Sequence, residues 1–344
     1  MFRILLRLTA VCVLVVVGWG SSAAAWDTTA GNDTNYGSIT FGSTDNDYGH
    51  GVAVDGSGNV YVTGYFNNTV DFGAGNVYAG DDPDAFVTKL NAAGVHQWTN
   101  TFGGTGNDIG RGVGVDGSGN VYTSGYFVGT VDFGAGDVTS NGSWDGFVTK
   151  YNAAGAHQWT TTFGGTGNSD YSYGLAVDGS GNVYSTGSFR DTVNFGAGNV
   201  TSAGDTDVFV TKLNSAGAHQ WSTTFGGTDD QSGFAVAVDG SGNVHVTGRF
   251  VGTVNFGAGD VTAAGGEDAF VTKLNSSGAH QWTTAFSSTS ASRGQSVAVD
   301  GSGNVYTTGQ FSGTVDFGAG DVTAAGVNTD IYITKLNSSG AHQW

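Results

Sequence analysis

Acidic and amide side chains recur in pairs along this sequence, and their oxygens are of the kind that binds calcium. Carboxylate and amide oxygens are the hard ligands that this ion prefers. The same side chains also cap turns by accepting hydrogen bonds from their own backbone. The turn interpretation explains every pair without a metal and is favoured, with calcium kept as the alternative cofactor. The pairs, five residues apart, are Asp71 and Asn76, Asp132 and Asp137, Asn194 and Asn199, Asn255 and Asp260, and Asp316 and Asp321.

Residues suited to catalysis are few. Outside the N-terminal 25 residues the arginines are Arg111, Arg190, Arg249 and Arg293, at non-equivalent places, and Glu267 is the only glutamate. No G-x-S-x-G elbow, HExxH helix or P-loop is present. We therefore predict no catalytic or cofactor-binding residues. An enzyme would instead need Asp, Arg or His from several parts of the chain in one cleft.

One unit is repeated five times along the chain. The pentapeptide Asp-Gly-Ser-Gly-Asn, the triplet His-Gln-Trp and the tetrapeptide Phe-Gly-Ala-Gly recur in register, about 61 residues apart. A period of this length indicates a repeat architecture. The histidine of the triplet occurs once per unit, and so does one lysine. Neither set can therefore converge on one metal, and both are interpreted as structural. The pentapeptide begins at Asp55, Asp116, Asp178, Asp239 and Asp300.

Four strands are predicted in each unit, and no segment after residue 25 has helical periodicity. In the first unit they cover 52–54, 60–66, 85–90 and 97–102. A four-stranded sheet cannot bury both faces alone, so the units must pack on one another. We predict an all-β fold, a β-propeller of five four-stranded antiparallel blades, in preference to a β-solenoid. The small first strands suit its centre and the Trp-bearing fourth strands its rim.

The recurring motifs resemble a known repeat. The segments 55–64 (DGSGNVYVTG), 84–90 (DAFVTKL) and 98–104 (WTNTFGG) are similar to the bacterial β-propeller repeat called SBBP. The resemblance covers essentially the whole chain after the N-terminus. It implies an exported bacterial protein with a propeller fold, and it supplies no catalytic signature to carry over. The family's name implies seven blades, whereas five repeats are counted here.

The N-terminus has the pattern of a signal peptide. Arg3 and Arg7 precede an apolar stretch, 8–19, and small residues follow up to Ala25. We predict a signal peptide over 1–25 and a propeller domain over 26–344, and therefore a secreted or cell-envelope protein. The stretch is shorter than a membrane span requires, although an uncleaved anchor is the alternative. Cys12, the only cysteine, lies inside it.

The charge and the loops narrow the choice of partner. A formal net charge of −18 argues against nucleic acid and against anionic membranes. The two longer connections of every unit, from the second to the third strand and from the fourth strand to the next unit, meet at one end of the fold. Loops on a rigid scaffold usually carry function. We predict a non-catalytic protein- or glycan-binding or surface-structural module, with an envelope hydrolase or lyase as the alternative.

Two packing expectations follow from the repeat. The rings of Trp98, Trp159, Trp221 and Trp282 should be largely buried between a fourth strand and the adjoining blade. Segment 39–41 matches part of a fourth strand that has no unit of its own. We predict that it pairs with the last third strand, around 331–336, and so closes a five-bladed ring.

Overall fold

The computed structural model describes residues 38–326 and 328–344, and every regular element in these ranges is a β-strand. The all-β prediction is therefore confirmed. No helix with the length and apolarity needed to cross a membrane occurs in the described ranges. The predicted signal peptide, with cleavage after Ala25, lies outside the described residues.

The first two repeats each supply six strands. In the first they are β1 (Tyr48–Val54), β2 (Val60–Phe66), β3 (Thr69–Asp71), β4 (Asn76–Tyr78), β5 (Asp84–Leu90) and β6 (His96–Phe102). In the second they are β7 (Ile109–Val115), β8 (Val121–Phe127), β9 (Thr130–Asp132), β10 (Asp137–Thr139), β11 (Asp145–Tyr151) and β12 (His157–Phe163).

The other three repeats follow the same plan with small differences. The third has β13 (Tyr171–Val177), β14 (Val183–Asn194), β15 (Asn199–Leu213) and β16 (His219–Phe225). The fourth has β17 (Gln231–Val238), β18 (Val244–Phe250), β19 (Thr253–Asn255), β20 (Asp260–Thr262), β21 (Asp268–Leu274) and β22 (His280–Phe286). The fifth has β23 (Ala291–Val299), β24 (Val305–Ser312), β25 (Thr314–Asp316), β26 (Asp321–Thr323) and β27 (Asp330–Leu336).

Each of the first four repeats forms a four-stranded antiparallel sheet, or blade. Its strand order is β1-β2-β5-β6 in the first repeat, and the next three repeats have the equivalent order. The fifth sheet has three strands, β23-β24-β27. The four predicted strands of the first repeat match β1, β2, β5 and β6, although β1 begins four residues earlier than predicted. Repeated antiparallel sheets of this kind form a propeller-like fold.

The Phe-Gly-Ala-Gly segment lies at the tip of a small two-stranded ribbon. In the first repeat β3 pairs with β4, and Phe72 packs its ring against Phe66 and Phe86. Gly73 has a φ of +109°, and a Cβ at this position would lie 2.8 Å from the Cβ of His96. His96 begins the His-Gln-Trp motif, so this contact explains why the two motifs recur together.

The Asp-Gly-Ser-Gly-Asn segment forms the tight turn between the first two strands. Asp55 Oδ1 accepts hydrogen bonds from the backbone N–H of Ser57 at 2.9 Å and of Asn59 at 3.0 Å. Its Oδ2 accepts from Asn59 Nδ2 at 2.7 Å and from the Tyr61 hydroxyl at 2.9 Å. One carboxylate therefore holds the turn and joins it to the second strand, as short polar turn residues commonly do.

Adjacent blades pack through their apolar faces. Phe102 at the end of β6 has its ring centroid 5.3 Å from Phe133 and 5.4 Å from Phe147 in the second blade. Val87 on β5 is fully buried in the same cluster. Burial of an apolar side chain of this size contributes about 1.5–3 kcal/mol. The blades are therefore held to one another by the same effect that forms a core.

The four tryptophans of the fourth strands are half-buried rather than largely buried as predicted. The Trp98 ring lies between Tyr61 of its own blade and Tyr151 of the next. Its Nε1 donates a hydrogen bond to the carbonyl of Ala153 at 3.2 Å. Ala153 lies in a surface turn, so one edge of the indole stays in contact with solvent. The predicted position at a blade junction is confirmed, and the predicted depth is wrong.

The predicted closure of the fifth blade by 39–41 is absent from the described structure. Residues 38–41 form no strand, and β24 is the only strand paired with β27 among the described residues. Ile331 and Ile333, on β27, are 76% and 64% exposed. Phe41 instead packs at 5.4 Å from Phe72, in an apolar cluster of the first blade. Burial of its ring on the first blade positions this segment without a backbone partner from β27.

We expect Trp98→Ala to lower the free energy of unfolding by about 2 kcal/mol, measured by urea denaturation. The loss should be smaller than the ~3–5 kcal/mol typical of a fully buried aromatic, because the ring is half-buried. Gln97→Ala, at the exposed neighbouring position, is the control and should change stability by less than about 0.5 kcal/mol. Equal losses in the two variants would contradict a stabilising role for the indole at the blade junction.

Candidate functional site

Each innermost strand carries one extra residue in its pairing with the second strand. In β1 the register passes from Gly49 directly to Gly51, so His50 has no place opposite β2. Such β-bulges bend a strand and re-aim a side chain, and they are common beside functional sites. The same irregularity occurs in all five sheets. The bulged residues are His50, Arg111, Tyr173, Phe234 and Gln295.

The five bulges converge on one central channel. All five bulged residues line a single cavity of about 410 Å³, together with the residues that follow them on the strands. All five side chains are half-buried, so they contact both the scaffold and the cavity. The prediction that the small first strands lie at the centre of the fold is therefore confirmed. The bulges lie near the beginning of each first strand, which is the loop-rich end of the blades.

A pair of residues beside each bulge also differs from blade to blade. Each pair consists of the residue two places before the bulge and the residue opposite it on the second strand. It is aromatic in the first blade, mixed or polar in the middle blades, and contains an arginine in the last two. The pairs are Tyr48 and Tyr65, Ile109 and Tyr126, Tyr171 and Ser188, Ser232 and Arg249, and Arg293 and Gln310.

Four rings of the second and third blades form what we call the aromatic wall: Tyr126, Trp144, Tyr171 and Tyr173. The Tyr126 ring lies 4.7 Å from Tyr171 and 6.3 Å from Trp144. Tyr171 and Tyr173 stack at 5.7 Å. A second cavity of about 340 Å³ is lined by three of these rings and shares two lining residues with the channel. The wall therefore extends the channel toward the loops.

Arg111 lies between this wall and the channel. Its Nη2 donates a hydrogen bond to the Tyr126 hydroxyl at 2.8 Å. Its guanidinium carbon lies 5.4 Å from the Tyr126 ring centroid and 5.8 Å from that of Tyr173. Contacts of this kind attract a cation to an aromatic face and fix its orientation. The buried Nε has no hydrogen-bond partner among the described residues.

The other described arginines are paired with carboxylates. Glu267 lies between Arg249 and Arg293, with 2.9 Å from its Oε2 to Arg249 Nη1 and a close contact from Oε1 to Arg293 Nε. Arg190 pairs with Asp205 at 2.5 Å. Within residues 38–326 and 328–344, Arg111 has no such partner. Arg111 is therefore the one described arginine without a carboxylate partner, whereas Arg249 and Arg293 share a single carboxylate and Arg293 also lines the channel.

Two titratable side chains of the site, His50 and Tyr173, are kept neutral at neutral pH by their surroundings. Burial, together with the nearby Arg111 charge, lowers the pKa of His50 to about 4. Burial and the neighbouring Tyr126 raise the pKa of Tyr173 to about 12. No carboxylate belongs to the described lining of either cavity. At neutral pH the site therefore presents aromatic faces, neutral polar groups and arginine.

The calcium candidates lie in the ribbons, away from this channel. Asp71 Oδ1 accepts hydrogen bonds from the N–H groups of Gly73 at 2.7 Å and Gly75 at 3.0 Å. Asp132 and Asp316 do the same in their ribbons. These bonds are the ones that the turn interpretation predicts. The second members, Asp137, Asp260 and Asp321, lie directly opposite on the partner strand, and no cluster of three metal-ligating side chains occurs among the described residues.

The recurring histidines and lysines lie at the blade edges. His96 Nε2 hydrogen-bonds with Thr99 Oγ1 at 2.9 Å, beside the ribbon. Lys89 Nζ donates to the carbonyl of Ala153 in the next blade at 3.2 Å, and it lies over the Tyr61 ring. These contacts agree with the structural role predicted for both sets.

Recurrence across the repeats did not reveal the channel site. Its residues occupy one equivalent position, five before the Asp of the turn, where the five repeats carry five different amino acids. The signal in the sequence was therefore variation at one position within otherwise near-identical copies. The contrast between Gly49-His50-Gly51 and Gly110-Arg111-Gly112 shows it directly, since the flanking glycines stay the same.

Comparison with known proteins confirms the repeat type. The SBBP β-propeller repeat model matches residues 29–69, 158–188 and 281–310. An uncharacterized WD repeat-containing protein of Acanthamoeba polyphaga mimivirus is 25% identical over 79% of this chain and 25% of its own length. The regulatory protein FlaEY of Caulobacter vibrioides is 29% identical over 59% of this chain and 22% of its own length. The chain thus spans about a quarter of the curated relatives it matches.

A solved structure with limited similarity is a catalytically inactive virginiamycin B lyase from Staphylococcus aureus, crystallised with quinupristin. It shares 8% identity and a TM-score of 0.25 with this chain, over 78% of this chain and 93% of the other. A similarity at this level carries no functional argument.

Half-buried and fully buried carboxylates lie at the blade junctions near the loop-rich end. Asp84, at the start of β5, lies against Gly103, where any Cβ would overlap its carboxylate. Burial, with a contribution from Asp82, raises the pKa of Asp84 to about 7. Burial likewise raises the pKa of Asp108 to about 8 and that of Asp170 to about 7. The folded state therefore favours the protonated form of these groups.

We expect the free energy of unfolding to fall as pH rises from about 5 to about 8. A carboxyl whose pKa is higher in the folded state stabilises the fold below its ordinary value of 3.8, and this contribution is lost as pH rises through the folded value. The carboxylates of the turns have the opposite effect on stability, which falls as they are protonated at low pH. Hydrogen bonds from Asn304 and its neighbours lower the pKa of Asp300 to about 2. Stability should therefore be greatest at mildly acidic pH, which thermal melts across the pH range can measure.

Asp84→Asn is the diagnostic variant for this pH dependence. Its Oδ1 has no hydrogen-bond partner among the described residues, and an amide resembles the protonated acid. The variant should flatten the decline above pH 5, whereas Asp137→Asn, at an exposed ribbon position, should leave the profile unchanged. Stability that rises between pH 5 and pH 8 in the unmodified protein would contradict the assignment.

Proposed function

We propose that this chain is an exported, non-catalytic β-propeller that binds a glycan at the loop-rich mouth of its central channel. The observation that carries the proposal is the set of five bulges, which bring five different side chains into one cavity. The scaffold residues around them hardly vary between repeats. A site that combines a concave cavity with a few convergent polar groups is the usual form of a ligand site.

The aromatic wall favours a sugar over an extended protein surface. Tyr and Trp offer a flat apolar face with a polar edge, which suits ligands that are apolar on one side and hydroxylated at the rim. The channel volume of about 410 Å³ matches a small ligand or the end of a chain. Trp144 has no tryptophan counterpart in the other four repeats, where the equivalent residues are Pro83, Thr206, Glu267 and Thr329.

The chemistry of the lining supports binding rather than hydrolysis. Glycoside hydrolysis commonly needs two carboxyl groups flanking the bond, and the described lining has none. Base catalysis of an elimination would need an imidazole titrating near neutral pH. The lowered pKa of His50, about 4, makes it a weak base at that pH. These features favour the binding module over the envelope hydrolase or lyase.

The proposal places the protein outside the cytoplasm of a bacterium. It is supported by the charged, apolar and small-residue succession that ends at Ala25, and by the SBBP repeats. The strongly negative net charge of −18 favours a soluble exported protein over one that binds nucleic acid or inserts stably in a membrane.

We expect Trp144→Ala to weaken glycan binding at least about tenfold while leaving the melting temperature nearly unchanged. The ring is half-buried in the wall, so its loss removes ligand contacts more than core packing. Tyr78→Ala is the matched control, because Tyr78 is a 63% exposed aromatic residue on a ribbon. Its affinity should match that of the unmodified protein. A glycan array identifies the ligand, and isothermal titration measures the two variants.

Three outcomes would contradict parts of this proposal. Release of new reducing ends from a bound glycan would favour the hydrolase or lyase. Equal affinity of the two variants would place the glycan elsewhere on the surface. A complete lack of glycan binding, with specific capture of a protein by the same face, would favour the protein-binding module.

We further propose that the array closes as a five-bladed ring. Support comes from the residues at its two ends. Trp344 already hydrogen-bonds to Lys335 of β27, as a fourth strand would. Residues 38–41 correspond to the four residues that follow the tryptophan in other repeats, and the Phe41 contact with Phe72 resembles the Phe102 contact with Phe133. The two segments together would make one fourth strand.

We expect Ile39→Cys combined with Ile333→Cys to form an intramolecular disulfide in residues 26–344. In the first blade the equivalent positions, Val87 and Asn100, are direct partners, close enough for such a bond. Non-reducing electrophoresis and intact mass would detect it in the monomer. Free thiols or disulfide-linked dimers as the sole products would contradict closure and favour an open array. Ile39→Cys with Ile331→Cys, two residues out of register, is the control.

A further inference from the structure

Arg111 contacts two aromatic rings and has no anionic partner among the described residues. Its Nη2 donates to the Tyr126 hydroxyl, and its guanidinium lies close to the rings of Tyr126 and Tyr173. The Nε, although buried, donates to no described residue. A buried donor without an acceptor is costly, so its retention indicates that something accepts from it.

The surroundings of Arg111 favour an anion as that acceptor. Each other arginine in the described ranges has a carboxylate within salt-bridge distance, although Arg249 and the channel-lining Arg293 share Glu267. The neighbour of Arg111 in the channel, His50, has an unpartnered and buried Nε2 of its own. Both groups face a cavity without described carboxylates. The described lining thus carries positive charge with no carboxylate to balance it.

We infer that the ligand of this site carries a carboxylate and that Arg111 binds it, so that the glycan recognised at the channel mouth is an acidic saccharide. The inference rests on the proposed glycan-binding function and deepens it. A planar guanidinium matches a carboxylate through two parallel hydrogen bonds, which lysine cannot reproduce. The aromatic wall would contact the sugar ring while Arg111 binds its acid group.

The test uses trigalacturonate and sialyllactose as probes, each with its methyl ester. Esterification removes the charge and preserves the sugar ring. Isothermal titration of residues 26–344 should show that at least one of the two acids binds about tenfold or more tightly than its own ester. Arg111→Gln should abolish that difference and leave the ester affinity in place. Arg111→Lys should restore only part of it.

Arg190→Gln is the matched control, since Arg190 is another arginine of the loop-rich end and is already paired with Asp205. It should bind the acids as the unmodified protein does. Circular dichroism and melting curves establish that each variant is folded, and the retained ester binding of Arg111→Gln shows an intact wall.

The outcomes separate this inference from the proposed function. Equal binding of acids and esters, insensitive to Arg111→Gln, would overturn the acidic ligand and leave glycan binding standing. Binding of neutral glycans alone would also overturn the acidic ligand while supporting glycan binding. If no saccharide of either kind binds, the proposed function fails first and the inference falls with it.

Discussion

The packing of one blade on the next is the interaction on which the rest of this structure depends. A four-stranded sheet has two faces, and the chain buries each inner face only through the neighbouring repeat. The fifth sheet shows the consequence directly. Ala85 and Val87 of the first blade are fully buried against the second, whereas Ile331 and Ile333, their equivalents in the fifth sheet, are mostly exposed. Each repeat therefore needs the same apolar surface, which keeps the repeats nearly identical.

This constraint also explains where the repeats are free to differ. Residues at the blade junctions and turns are fixed by packing and by hydrogen bonds such as those of Asp55. A bulged residue has no partner on the second strand and points to the channel, so its side chain is released from those requirements. Arg111 and Tyr173 can replace His50 without altering the strand that carries them. Variation in a uniform scaffold is thus concentrated where a ligand would meet it.

The sequence predicted the scaffold better than the site for the same reason. Turn glycines and alternating apolar residues are recognised within a short segment, and the 61-residue period repeats these segments along the chain. Together they located the strands to within a few residues. A β-bulge depends on how two strands align, so the convergence of His50 and Arg111 was not visible from either strand alone. The depth of Trp98 and the position of Phe41 likewise depend on the neighbouring blade. Arg111 looked isolated because its partners in space, Tyr126 and Tyr173, lie in other strands.

In so acidic a protein, the binding of an anion to Arg111 depends on how far each charge lies from that anion. The net charge of −18 acts over the whole surface, but salt screens exposed charges beyond about 8 Å at physiological ionic strength. An anion in contact with Arg111 would interact at about 3–4 Å in a partly desolvated site, where the attraction is several times stronger than in water. The distant carboxylates therefore oppose the approach of an anion only weakly, while the guanidinium decides its binding.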